Sequence, residues 1–463
     1  MRFENTSVIS DVTNNLFFAP LCNSHLGLAT KIAERSLFRN VNLPYEFMDP
    51  RKFSVGEFCP KFQVERNDPK GKSAWMILTP SPRNSPESLM YRACMTARAL
   101  KEHGAKKVSL LTTDLPHARQ DRGPEEDLKA KGELNTVKLH ASLLRASGID
   151  QIVTTHSHSP RISSFFALEN GLISNEFRNT CGINKNPYEL IPGTDSDPNR
   201  KDIQELGKSI FKPISPHAIV ADYMRRHSSL KNSAYMQEGG ARIVLKAMDR
   251  GNRNFIDNLY KALYLPNASI LRCEKARKKK NDPNSVEVEV SEFISQFDSI
   301  NGMCEVYADD GLDTGGTMIR AAKWSDEGNR CREKDILYGT PEVRAVYFTH
   351  PWLGGKDYNS IQRKLIEELP SSEFITSNTR PHVSDGQYHR FEEKSTVLRF
   401  AALWADAILA DEQSIDITTR YQDYESEQEQ HRYVSQLYAL KRHSRHFMQQ
   451  DRVKKREMKF ALR

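Results

Sequence analysis

The sequence predicts an α/β fold in two domains, and three observations carry that prediction. Short apolar runs alternate with longer stretches whose apolar residues recur at helical spacing, the pattern of a parallel sheet covered by helices. The chain has 463 residues, more than one hydrophobic core usually organises. Near residue 310 an apolar strand end runs straight into a carboxylate-rich Thr-Gly-Gly-Thr turn that opens a helix.

Taken in order, residues 75–79 (WMILT), 107–112 (KVSLLT) and 151–155 (QIVTT) read as buried strands. Between the first two lies SPESLMYRACMTARALKEHG, in which Leu89, Ala93, Ala97 and Leu100 fall at helical spacing and Gly104 supplies a C-terminal cap. These elements set a first domain over residues 1–170. Residues 171–206 are rich in Asn, Pro, Gly and Asp and read as an irregular insertion. A second α/β domain is expected over residues 207–395, and it contains the carboxylate-rich turn.

A hydrophobic content of 38% with a mean hydropathy of -0.63 suits two soluble cores. No apolar run reaches the length of a membrane span, and the opening MRFENTSVIS lacks the charged and apolar regions of a signal peptide, so a cytoplasmic protein with no membrane partner is expected. The seven cysteines are scattered and form no CxxC pair, which reads as free thiols and not as a disulfide or zinc framework. The net charge of +7 suggests anionic ligands and is concentrated in two places. One is residues 272–280. The other is residues 441–463, part of a basic helical tail over 417–463 in which KRHSRH and RVKKREMK follow the acidic YESEQEQ. Such a tail is a solvated or subunit-capping helix more readily than a nucleic-acid contact.

The segment EVYADDGLDTGGT, residues 305–317, has the chemistry to hold a ribose 5-phosphate. Asp309 and Asp310 can accept hydrogen bonds from two ring hydroxyls. Asp313, Thr314, Gly315, Gly316 and Thr317 form a turn whose backbone N–H groups close on a phosphate at the positive end of the following helix. Acidic residues before a Gly-rich turn also occur as plain strand-to-helix connections. The rest of the chain decides the matter.

The segment TDLPHARQDR, residues 113–122, resembles the ATP-binding ARQD segment of the ribose-phosphate pyrophosphokinases, and FSVGE at 53–57 resembles their FSDGE. HSPRISSFF from His158 is similar to their metal-binding HxxxIxxFF, and CEKARKKKN from Cys273 to their mobile catalytic loop. FTHPWLGG, SNTRP and STVLRFAALWADAI resemble their closing strands and helix. The resemblance runs in register over roughly residues 15 to 412 and rests on about five specific motifs.

The resemblance implies two type I phosphoribosyltransferase-like domains with the active site in the cleft between them, and a helix at 396–416 returning to the first domain. It implies ATP and magnesium as co-substrate and cofactor, ribose 5-phosphate as acceptor, and a homo-oligomer. By motif position, Phe53, Glu57, Arg119, Gln120 and Asp121 would hold ATP: the aromatic ring can stack on adenine and the planar guanidinium and amide can meet phosphate and purine edge. His158 and Glu238 would hold the metal, while Lys275 and Arg277 would meet charge that grows during transfer. Two departures stand out. Val55 replaces a polar residue of FSDGE, and the turn expected to read DxGG reads QEGG, with Gln237 in the acidic position and Glu238 displaced by one. Further insertions are expected near 248–265 and 324–338. These departures leave three acceptor readings open: ribose 5-phosphate itself, a larger ester such as ADP-ribose used in NAD synthesis, or a catalytically silent regulatory homologue.

Overall fold

The computed structural model describes residues 16–21, 28–32, 49–55, 57–62, 68–80, 84–122, 132–173, 197, 200–231, 233–277, 286–297, 299–326, 340–353, 358–380, 391, 393–422 and 424–437. The chain divides into two units, Met1–Ile214 with Ala401–Arg420 and Ser435–Arg463, and Ser215–Phe400 with Tyr421–Val434.

In the first unit the strands are β1 (Leu16–Pro20), β2 (Asp49–Lys52), β3 (Phe58–Lys61), β4 (Ser73–Leu78), β5 (Lys107–Thr112), β6 (Gln151–Thr155) and β7 (Phe211–Ile214). Five of them form a parallel sheet in the order β1-β4-β5-β6-β7, and β2 pairs with β3 in an antiparallel hairpin. The sheet is covered on both faces, so β4, β5 and β6 are buried along almost their whole length instead of at alternate positions. The helix Pro86–Glu102 starts on Ser85, whose side chain accepts the Ser88 N–H, and carries proline in its first turn. It buries Leu89, Met90, Ala93, Thr96, Ala97 and Leu100. Gly104 ends it with a φ of 80°. There the Gly104 N–H reaches Lys101 O at 2.9 Å and the Ala105 N–H reaches Leu100 O at 3.0 Å, a paired cap that a residue with a Cβ would strain. The stacked rings of Phe166 and Phe211, 5.0 Å apart, join the helix Arg161–Glu169 to β7. Because β7 pairs with β6, the first unit continues to Ile214, beyond the expected domain start at 207.

The helix Ala401–Glu412 belongs to this unit and is buried on every side. Trp404 Nε1 donates to Thr155 Oγ1 at 2.7 Å, and Trp75 Nε1 donates to Glu412 Oε1 at 2.9 Å. Asp411 accepts from Lys107 at 2.7 Å, from Gln151 at 2.5 Å and from Lys212. Burial opposes its ionisation, but Gln151, Lys107 and Lys212 outweigh burial and hold the carboxyl below its usual range.

The second unit contains β8 (Ile243–Ala247), β9 (Ser269–Arg277), β10 (Val286–Ile294), β11 (Cys304–Leu312), β12 (Val343–Pro351), β13 (Glu373–Ser377) and β14 (Ser395–Leu398). They form one sheet in the order β10-β9-β8-β11-β12-β13-β14, parallel throughout except for β10 against β9. The core gathers Val244, Leu271, Tyr307, Val346, Phe348, Phe374 and Leu365. Residues 248–265, expected as an insertion, are the crossover from β8 to β9 and hold the helix Arg253–Leu263. Residues 421–434 dock on this unit: Gln430 Nε2 donates to Ala262 O at 3.0 Å, Tyr264 OH to Tyr424 O at 2.6 Å, and Arg226 pairs with Glu427 at 2.8 Å. Residues 427–437 are helical; the basic part of the tail from 438 onward and most of the 171–206 insertion lie outside the described residues. No helix among the described residues is long and apolar enough to cross a membrane.

Candidate functional site

Three parallel strands of the second unit deliver its polar residues to one end of the sheet. β11 carries Asp309 and Asp310 near its C-terminal end, and the helix Gly316–Asp326 begins after the turn that follows. Asp309 Oδ1 accepts the Asp310 N–H at 3.0 Å and the Asn252 amide Nδ2 at 2.9 Å. The same Nδ2 donates to the Ala308 carbonyl at 2.9 Å. A carbonyl only accepts, so the amide orientation of Asn252 is fixed. Burial, and then the neighbouring Asp310 and Asp249 carboxylates, push the Asp309 carboxyl well above its usual range.

Two glycines give the loop its shape. A Cβ on Gly311 would lie 2.5 Å from the Trp352 ring, so glycine admits the indole against the strand. Leu353 N–H donates to Leu312 O at 2.8 Å, fastening the Trp352 segment to the loop. Trp352 stacks on His350, whose Nδ1 lies 3.0 Å from Thr379 Oγ1. Gly315 has a φ of 69°, and a Cβ there would meet Leu365 Cδ2 at 2.7 Å. Its carbonyl accepts the Ile319 N–H at 2.9 Å, which starts the helix and leaves Gly315, Gly316 and Thr317 at the helix N-terminus.

The turn after β8 reaches the same end. Asp249 accepts the Asn252 N–H at 3.1 Å, closing the 3-10 turn Arg250–Asn252. Sequence reasoning missed Asp249 and Asn252. The Gln237–Gly240 turn, matched by the resemblance to an acidic turn, precedes β8 and so sits at the opposite end of the strand from Asp309. Glu238 is therefore not brought to the Asp309–Asp310 loop. Its backbone is left-handed with a φ of 52°, and its carbonyl accepts from Asn267 Nδ2 at 2.7 Å, a structural turn.

Lys275 and Arg277, expected on a mobile loop, lie in β9, which continues past the register pair Ala247 and Arg272 towards the loop end of the sheet. Their backbone pairs with Val288 and Val286 of β10. The lysines at 278–280 lie outside the described residues. Under the helix Gly316–Asp326, and unforeseen from sequence, Lys246 Nζ is fully buried. It donates to Ala321 O at 2.8 Å and Ser325 Oγ at 2.5 Å and pairs with Glu305 Oε1 at 3.2 Å. Tyr307 OH and Arg344 Nε reach Glu305 Oε2 at 2.7 and 3.2 Å. Burial opposes the charge of Glu305, but Lys246, Ser325, Tyr307 and Arg344 prevail and keep its carboxyl below the usual range.

In the first unit the segment 113–122 follows β5 and His158 follows β6, so both stand at the C-terminal end of that sheet. Arg119 and Gln120 are exposed; Gln120 Oε1 accepts from Thr136 Oγ1. Asp121 is buried, its carbonyl accepts from Asn135 Nδ2 at 3.2 Å, and its charge acts on the half-buried Arg161 guanidinium, whose ionisation burial opposes. His117 holds a left-handed φ of 61° beside the ARQD run, a strained conformation of the kind found at functional sites. Its Nε2 lies 3.5 Å from Glu87, and its ring packs edge-on to His140 at 5.0 Å. Burial first, and His117 second, push His140 down to about 4. His158 is exposed. Phe53 and Glu57 flank the turn between β2 and β3, with the Phe53 N–H on the Glu57 carbonyl at 3.0 Å and both side chains exposed.

Among the described residues no group of three or more His, Cys, Asp and Glu side chains is set to hold a metal ion by itself. Asp249 and Asp310 offer carboxylate oxygens of the type a hard cation takes, with most of its shell left for other oxygens.

No family model matches the chain. It is 26% identical over 323 residues to ribose-phosphate pyrophosphokinase 1 of Streptococcus pyogenes serotype M3, covering 69% of this chain and 75% of that one. It is 25% identical over 351 residues to ribose-phosphate pyrophosphokinase of a Marinomonas species, covering 75% and 85%. The fold matches the crystal structure of phosphoribosylpyrophosphate synthetase from Mycobacterium smegmatis with a TM-score of 0.56 at 19% identity, over 86% of this chain and 99% of that one.

Proposed function

We propose that this chain, a divergent member of the ribose-phosphate pyrophosphokinase family, transfers the β,γ-pyrophosphoryl group of ATP to the C1 hydroxyl of ribose 5-phosphate. The enzyme class is a diphosphotransferase. The C1 oxygen bonds to the β-phosphorus, the bond from that phosphorus to the α,β-bridging oxygen breaks, AMP leaves and the hydroxyl proton is released.

The observation that carries this reading is the joining of the Asp309–Asp310 loop to the Asp249–Asn252 turn through Asn252. The ring hydroxyls meet Asp309 and Asp310, and the 5-phosphate meets the backbone N–H groups of Gly315, Gly316 and Thr317 at the helix N-terminus. Asp313 and Thr314 complete the turn. Lys275 and Arg277 supply cationic charge as negative charge builds on the transferring phosphoryl oxygens. On the ATP side the reading assigns Phe53 and Glu57 to adenine and ribose, Arg119, Gln120 and Asp121 to phosphate and purine edge, and His158 to the metal.

Asp249 and Asp310 are the carboxylates of the second unit that would meet magnesium, in place of Glu238, and the ion would supply positive charge to offset that of the triphosphate. A cation that keeps phosphate and water oxygens as most of its ligands suits a chain without a dedicated cage.

The test is incubation of the protein with ATP and magnesium and either ribose 5-phosphate or ADP-ribose, read by mass spectrometry. AMP and a ribose 5-phosphate product heavier by one pyrophosphoryl group support the reading. Conversion of ADP-ribose alone replaces the acceptor, and no AMP with either acceptor removes the activity.

A further inference from the structure

Arg253 opens the helix that follows the Asp249–Asn252 turn, and its guanidinium crosses to the β9–β10 hairpin. One nitrogen, Nη2, donates to Glu274 Oε1 at 2.7 Å and to Ser291 Oγ at 2.8 Å. Glu274 immediately precedes Lys275. Ser291 is the extra residue of a bulge, since the β9–β10 register shifts between Val290 and Glu292, and its hydroxyl also donates to Arg272 O at 3.1 Å. β8 and β9 pair only as far as Ala247 and Arg272. Past that point the neighbour of β9 on that side is the turn that Arg253 follows.

We propose that Arg253 is a positioning residue that ties the hairpin to the Asp249–Asn252 turn and so sets where Lys275 and Arg277 stand relative to the ribose-phosphate loop. This rests on the pyrophosphokinase reading above. Arg253 and Glu274 are 26% and 50% exposed, and a pair so exposed to solvent adds little to stability. The bulge concentrates twist in the hairpin, and its end needs a lateral anchor to hold one orientation. The contribution of the pair is therefore geometric, and small misplacements of charged groups are costly in phosphoryl transfer. Arg272 provides an internal comparison. Its guanidinium bonds Asp257 at 2.9 Å and Glu292 at 2.8 Å, so it also joins hairpin to helix, but it pairs with neither the bulged Ser291 side chain nor Glu274.

The experiment compares Arg253→Met, Arg253→Lys, the swap Arg253→Glu with Glu274→Arg, and Arg272→Met. It records kcat for AMP release, KM for both substrates, calorimetric affinity for ribose 5-phosphate and the melting temperature. Arg253→Met is expected to lower kcat about 10- to 100-fold with both KM values, the affinity and the melting temperature little changed. Arg253→Lys and the charge swap should recover part of the loss, and Arg272→Met should retain kcat. An unchanged kcat in Arg253→Met, or an equal loss in Arg272→Met with a lowered melting temperature, overturns the positioning role while leaving the pyrophosphokinase reading intact. Wild-type protein that releases no AMP overturns both.

Discussion

The amide nitrogen of Asn252 lies 2.9 Å from Asp309 Oδ1 while also holding the Ala308 carbonyl, so the turn after β8 and the C-terminal end of β11 form one hydrogen-bonded assembly. Asn252→Ala should loosen Asp309 and weaken ribose 5-phosphate binding by about 1 to 1.5 kcal/mol, the worth of a net hydrogen bond. Calorimetry on variant and wild type reads this directly, and KM for ATP should stay constant.

Asp249 is assigned the role that the sequence pattern gave to Glu238. Asp249→Asn should raise the magnesium concentration needed for half-maximal rate, whereas Glu238→Gln, at the far end of β8, should leave it unchanged. Magnesium titrations of the two variants decide between them; the reverse ranking would restore Glu238.

The reasons for that difference are visible in particular residues. β4, β5 and β6 were legible because strands buried on both faces carry adjacent apolar residues (WMIL, LL, IV) with few charges, and Gly104 was legible because a helix end needs its left-handed φ. The 305–317 loop announced itself through paired carboxylates and paired glycines. The Asp249–Asn252 turn carries one glycine and no such pair, whereas Gly239 and Gly240 owe their pairing to positive φ and close approach to Asn267 and Leu265. Lys246 was illegible for another reason: a lysine in IVLKA reads as a break in a strand, and its four polar partners come from residues 305 to 325, distant in sequence.

The carboxyl of Asp309 is held above its usual range by burial, Asp310 and Asp249. A raised acid binds more protons folded than unfolded, so it costs stability as pH rises from the ordinary aspartate range towards the raised value. Asp309→Asn removes that cost. The variant should melt higher than wild type at neutral pH and by a smaller margin near about pH 4, while losing ribose 5-phosphate binding. Melting curves at both pH values check it, and a pH-independent difference would contradict the shift.

The buried Lys246 and Glu305 depend on each other. Lys246→Met strands a carboxylate without its ammonium and should cost about 3 to 5 kcal/mol, whereas Lys246→Met with Glu305→Leu should recover much of the loss. Denaturant unfolding of both variants measures the difference; equal losses would mean that packing and not charge dominates.

Lys275→Ala or Arg277→Ala should each lower kcat far more than they weaken ATP binding, by about 3 to 4 kcal/mol or a factor of roughly 10² to 10³. Lys279→Ala and Lys280→Ala should change the rate by less than about threefold. Steady-state kinetics on the four variants tests the assignment, and equal losses at all four would mark a diffuse electrostatic patch.

The most direct test of the account follows the acceptor oxygen. Ribose 5-phosphate carrying heavy oxygen at C1 is incubated with unlabelled ATP and magnesium, and both products are weighed by mass spectrometry. The expected product is a pyrophosphorylated ribose 5-phosphate that retains the heavy oxygen, formed together with unlabelled AMP in equal amounts. Label in AMP, ADP as the nucleotide product, or no product heavier than the acceptor would contradict it.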